Sequence, residues 1–101
     1  MAQQSNPLTT YQALSAHLYS EIGSEAVILD LQSGIYYGLN ETSNQIWLWL
    51  QKPRTLLELS KLLLDEYDVP LEEALRDLQS LLQEMIDTGL IEIVKERAVS
   101  P

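Results

Sequence analysis

The sequence predicts an α+β domain, a three-stranded antiparallel β-meander followed by three α-helices. Three observations carry this. Before Asn40, short apolar runs with a two-residue period are separated by glycine-bearing turns. After Asn40, leucines recur at helical spacing behind two capping-box signatures, Thr42 with Gln45 and Thr55 with Glu58. The 101-residue chain has no cysteine, so one core held by packing alone must suffice.

Residues 1–10 (MAQQSNPLTT) are polar and aperiodic and are read as a flexible N-terminal arm, with the domain proper over 11–94 and a frayed tail over 95–101. Leu14, Ala16, Leu18 and Ile22 alternate with Ser15, His17, Tyr19 and Glu21, which predicts a first strand with the aliphatic set facing inward. Gly23-Ser24 supplies a tight turn. The β-branched run over residues 25–31 (EAVILDL) reads as a central strand, and Gln32-Ser33-Gly34 as the second turn. Ile35-Tyr36-Tyr37-Gly38-Leu39 reads as the third strand.

Ile46, Trp47, Trp49 and Leu50 mark a first helix that breaks before Pro53; the tryptophans are read as core and boundary packing. Leu56, Leu59, Leu63 and Tyr67 mark a second. Asp68-Val69-Pro70 separates it from the third, because a residue before proline avoids the α region. Leu71, Leu75, Leu78, Leu82 and Met85 form the third helix's stripe, widened by Ala74, Leu81 and Ile86. Gly89 is placed to stop it in a left-handed cap. Residues 90–94 are read as a short final strand or an extended tail. Three helices beside a small meander make a winged-helix-like architecture, which carries no function by itself.

Composition removes several functions. Lys and Arg number 6 against 15 Asp and Glu, a net charge of -9. Such a surface repels phosphate backbones and anionic lipid, which argues against nucleic-acid and membrane partners. No apolar stretch approaches a bilayer span and no secretory signal follows Met1, so a cytoplasmic protein is expected. His17 is the only histidine, placed on a strand's polar face without convergent partners. Glu72-Glu73-Arg76-Asp77 reads as a solvated helix face, and Asp65-Glu66 and Asp68 lack the spacing of a calcium loop. No glycine-rich phosphate loop is present. Neither an enzyme nor a cofactor or metal site is expected.

The segment over residues 25–93 resembles the PqqD family, also called RiPP recognition elements, which bind the leaders of ribosomal peptide precursors, including those of pyrroloquinoline quinone and lasso peptide pathways. The resemblance rests on Leu29-Asp30, the stretch Gly34-Ile35-Tyr36-Tyr37-Gly38-Leu39-Asn40, Ile46-Trp47, Tyr67-Asp68-Val69, Asp77 and Gly89-Leu90, in that order and spacing. Trp49, where the family usually has an aliphatic residue, and Pro70, often a polar cap there, depart from the pattern and leave the subfamily open.

The resemblance implies a non-catalytic adaptor. A leader peptide adds to the edge of the third strand, in a groove against the third helix, and is presented to a leader peptidase or a radical SAM enzyme. The implied contacts on the strand are Ile35, Tyr36, Tyr37, Gly38 and Leu39. One tyrosine packs inward and the other is free to bind. On the helix they are Leu75, Arg76, Leu78, Gln79, Leu82, Gln83 and Met85, subject to the helix's rotation. Asp77 is read as either a leader contact or a tie to a nearby loop. Two other functions share the architecture. A DNA-binding winged helix would insert the third helix into the major groove, but between Pro70 and Thr88 that helix carries five acidic residues and one basic one. A dimerisation module would use the same strand edge, so the chain is expected as a monomer or a weak homodimer.

Overall fold

The computed structural model describes residues 6–15 and 17–95. It contains six strands and three helices among those residues: β1 (Thr10–Ala13), β2 (His17–Ile22), β3 (Glu25–Asp30), β4 (Tyr36–Leu39), α1 (Glu41–Trp49), β5 (Arg54–Thr55), α2 (Leu56–Glu66), α3 (Leu71–Asp87) and β6 (Ile91–Lys95). The expected meander is β2-β3-β4, antiparallel throughout.

Turn chemistry sets its register. Gly23 has φ +65° and Ser24 does not enter the left-handed region, so the two-residue β2–β3 loop is a type II′ turn with glycine at its first central position. The β3–β4 turn closes on a glycine bulge. Gly34, at φ +74°, donates to the Asp30 carbonyl (2.7 Å), and the Asp30 N–H donates to the Ile35 carbonyl (2.9 Å). The Asp30 carboxylate accepts the Gln32 N–H at 2.9 Å, the leading cause of a pKa below the usual aspartate value.

That register reverses the expected facing of β2. Across the sheet, Leu18 lies opposite Leu29 and Leu29 opposite Tyr36; one residue on, Tyr19 lies opposite Ile28 and Ile28 opposite Tyr37. Ile28 is fully buried, so the Tyr19–Ile28–Tyr37 row faces the helices, and Leu18 and Ile22 stay 57% and 67% exposed. Tyr19 donates its hydroxyl to Asn44 Oδ1 (2.7 Å), while Asn44 Nδ2 donates to the Ser24 carbonyl (3.1 Å), pinning α1 beneath the sheet. Burial, reinforced by Glu21, raises the Tyr19 pKa. His17 is half-buried, its ring edge-on to Trp47 at 5.7 Å, rather than on a solvated face. Ala16 lies outside the described residues.

A second sheet, in the order β5-β1-β6, ties the start of the domain to its end. β1 pairs with β6 through Tyr11↔Ile93, Gln12↔Glu92 and Ala13↔Ile91 and with β5 through Thr10↔Thr55. The segment over 90–94 therefore resolves as a strand from Ile91. The domain's first strand begins at Thr10, the last residue assigned to the arm. Residues 1–5 of that arm, and 96–101 of the tail, lie outside the described residues.

The helices follow their sequence signals with one change. α1 is capped by Asn40, whose Oδ1 accepts the Ser43 N–H at 2.9 Å, and not by the expected Thr42–Gln45 box; the chain turns into the helix directly from the last residue of β4. α2 has its capping box: the Glu58 N–H donates to Thr55 Oγ1 (3.1 Å) and the Thr55 N–H to Glu58 Oε1 (2.9 Å). Thr55→Ala should therefore cost about 1 kcal/mol, read as a lower urea midpoint at unchanged slope. α3 ends in a Schellman motif, with Gly89 at φ +81° and the Gly89 and Leu90 N–H groups donating to the Ile86 and Met85 carbonyls. Ile28, Ile46, Leu50, Leu59, Leu78, Leu82 and Ile91 fill the centre where both sheets and all three helices meet.

Candidate functional site

The strand β4 has one neighbour, β3, and its other side is an edge. Which groups point outward follows from the ladder. In an antiparallel pair, alternate residues direct both N–H and C=O toward the partner. The Asp30–Ile35 bond fixes the phase, so Tyr37 and Leu39 bond to β3, while the N–H and C=O of Tyr36 and Gly38 point away from it. The edge thus offers two donors and two acceptors at the spacing an added strand requires.

Side chains alternate the other way. Tyr37 and Leu39 lie on the helix-facing side, and Tyr36, 69% exposed, on the outer face. One tyrosine packs inward and the other is free, as expected. On the outer face Tyr36 joins Leu18, Val27 and Leu29 around a shallow hollow of about 190 Å³.

Between β4 and α3 runs a groove of about 350 Å³. Tyr37, Gly38, Leu39 and Asn40 form its sheet side; Leu81, Glu84, Met85 and Thr88 form its helix side, with Ser43 and Leu90 completing it. Leu39, Met85 and Leu90 are buried and Leu81 is half-buried. Its helix side therefore follows one line of i, i+3 and i+4 positions, 81-84-85-88.

Of the residues the resemblance implied, Tyr37, Gly38, Leu39 and Met85 meet at this groove. Ile35, half-exposed, lies in the turn before it, and Tyr36 presents its backbone there and its ring to the outer face. Leu78 and Leu82, each 1% exposed, are core residues. Leu75 and Gln79 lie with Pro7, Leu56, Leu57, Ser60 and Leu71 around a separate apolar hollow of about 290 Å³ on the α2 side. Arg76, Asp77 and Gln83 are exposed, and Gln83 donates to Asp87 Oδ1 at 2.9 Å. The sequence reading missed Asn40, Ser43, Leu81, Glu84, Thr88 and Leu90. The signal for the helical ones was Leu81, which widens the stripe four residues before Met85.

Among the described residues no three His, Asp or Glu side chains converge as a metal site would, and no helix is long and apolar enough to cross a membrane. What the groove supplies is a trough of mixed lining, apolar at Leu39, Leu81, Met85 and Leu90 and polar at Asn40, Ser43, Glu84 and Thr88, beside a row of main-chain hydrogen-bonding groups, suited to an extended peptide.

Comparison with known proteins points the same way. One solved structure similar to this chain is described as TbiB1 in complex with the TbiA(beta) leader peptide. It is 28% identical, covers 84% of this chain and 99% of its own length, and superposes with a TM-score of 0.75. A second, lasso peptide synthetase B1 complexed with the leader peptide, is 24% identical over 81% of this chain and 96% of its own, at a TM-score of 0.70, and bears on the fold alone. No curated protein sequence matches the chain. The family described as coenzyme PQQ synthesis protein D matches residues 25–91, the span that runs from β3 through the β4 edge and α3 to the start of β6. With the larger part of its length so matched, the chain belongs to the PqqD family.

Proposed function

We propose that this chain is a non-catalytic leader-peptide-binding adaptor, a RiPP recognition element that captures a ribosomal precursor in the cytoplasm and presents it to a separate maturation enzyme, a leader peptidase or a radical SAM enzyme. The observation that carries the reading is the open β4 edge lying alongside the groove against α3, in a fold shared with a protein solved as a leader-peptide complex. The leader enters as an extra strand on β4. Its backbone is held by the Tyr36 and Gly38 groups and alternate side chains are seated among Leu39, Leu81, Met85 and Leu90. By holding the leader, the adaptor raises the precursor's effective concentration at an enzyme that binds the adaptor as well.

Titrating isotopically labelled protein with leaders of precursors encoded beside it, and with the TbiA(beta) leader for reference, should shift the amides of Tyr36, Gly38 and Asn40 and those from Leu81 to Leu90. Shifts confined to the α2–α3 hollow around Leu75 and Gln79 would move the site; concentration-dependent changes at β4 without any leader would favour a dimerisation module. Shifts with duplex DNA and none with leaders would replace the reading with a nucleic-acid one. The acidic α3 argues against that last result.

A further inference from the structure

We propose that the leader accepted by this groove carries a cationic side chain an even number of residues, two in the simplest register, from its apolar anchor, and that Glu84 reads it. The inference rests on the leader-binding function proposed above and adds the chemical class of the leader. In an added strand, side chains that enter the groove are those at every second position, because neighbours point to opposite faces. The groove therefore meets residues i and i+2 of the peptide, opposite Tyr37 and Leu39.

Those two places differ chemically. One can sit on the apolar surface of Leu39, Leu81, Met85 and Leu90. The other meets Glu84, the one acidic residue lining the groove. Glu84 is exposed, and among the described residues its carboxylate takes no hydrogen bond or ion pair; its neighbour Asp87 is occupied by Gln83. Among the side chains the structure describes, the basic ones stand elsewhere. Lys52, Arg54 and Lys61 belong to α2 and its approach, and Arg76 precedes Glu84 by two turns, on the order of 12 Å along α3. A peptide acid would meet Glu84 and a chain of net charge -9, and a peptide cation would find an unanswered carboxylate at the groove wall.

The test selects short random peptides, displayed on phage, against the full chain, retaining only those that lose binding to Gly38→Pro, so that ligands of other surfaces drop out. The expected winners carry an apolar residue with Lys or Arg two or four positions away. For a synthetic winner, changing its cation to glutamine should weaken binding about three-fold, the scale of a solvent-accessible ion pair. Glu84→Gln should cost the same, and the double change no more than either alone. Winners with an apolar anchor but no cation at same-face spacing, or a cation whose contribution survives Glu84→Gln, would overturn the proposal and leave leader binding intact. No Gly38-dependent winners at all would remove the groove reading itself, and this inference with it.

Discussion

Replacing Gly38 with proline should weaken leader capture at least ten-fold while leaving the domain folded. The Gly38 N–H points away from β3, so proline removes no bond of the existing ladder. The backbone there is not in the left-handed region, and a Cβ built on Gly38 meets nothing within 4 Å, so the first side-chain carbon has room, and an edge strand tolerates proline where its N–H faces outward. An incoming strand, by contrast, loses a donor at the centre of its contact and meets the pyrrolidine where its own carbonyl should approach. One unmade main-chain bond is worth about 1 kcal/mol and an acceptor stranded in the interface about 1–3 more, so affinity should fall at least ten-fold. Gly38→Ala retains the N–H and should bind close to the parent. Calorimetric titration with a bound leader, alongside far-UV circular dichroism, reads both effects. A folded Gly38→Pro protein that binds as tightly as the parent would exclude strand addition at this edge.

The parts of the fold visible in the sequence are those with local causes. Gly23 and Gly34 set two turns by their positive φ, Thr55–Glu58 and Gly89 bound two helices, and the stripe from Leu71 to Met85 built the third. What escaped has distant causes. Thr10-Tyr11-Gln12-Ala13 is unremarkable as a segment and becomes a strand only because residues 54–55 and 91–95 flank it. The alternation is that of a strand only over His17–Ile22, not from Leu14, and its facing is dictated by Ile28 on the next strand, which puts Tyr19 and His17 under the sheet and leaves Leu18 and Ile22 outside. The site divides similarly. The strand half was legible because a strand has two faces and the edge offers a fixed alternation. The helix half was not, because an apolar stripe wider than the groove does not say which flank meets β4; Asn40–Ser43 capping and the α3 Schellman turn, which orients Leu90, settle that only in three dimensions.

The rotation of α3 makes the second large effect a contrast between neighbours in sequence. Leu81 and Leu82 lie about 100° apart around the helix. Leu82 is 1% exposed among the central core residues, and Leu81 lies half-buried at the groove. Leu82→Ala should cost about 2–5 kcal/mol, because the cavity it leaves is walled by side chains with little room to relax. A domain this size has roughly 5–15 kcal/mol in total, so the variant should melt far earlier. Its leader affinity, measured where it remains folded, should stay near the parent's. Leu81→Ala should do the reverse. It removes little from the core, about 1 kcal/mol of stability, yet takes away apolar surface a leader side chain would cover, costing about 1–2 kcal/mol of binding. Chemical denaturation and leader titration on the two variants separate these quantities. If Leu82→Ala lost leader affinity while staying fully folded and Leu81→Ala did not, α3 would present a different flank to the peptide, and the groove would have to be redrawn around the 75-78-79-82 line.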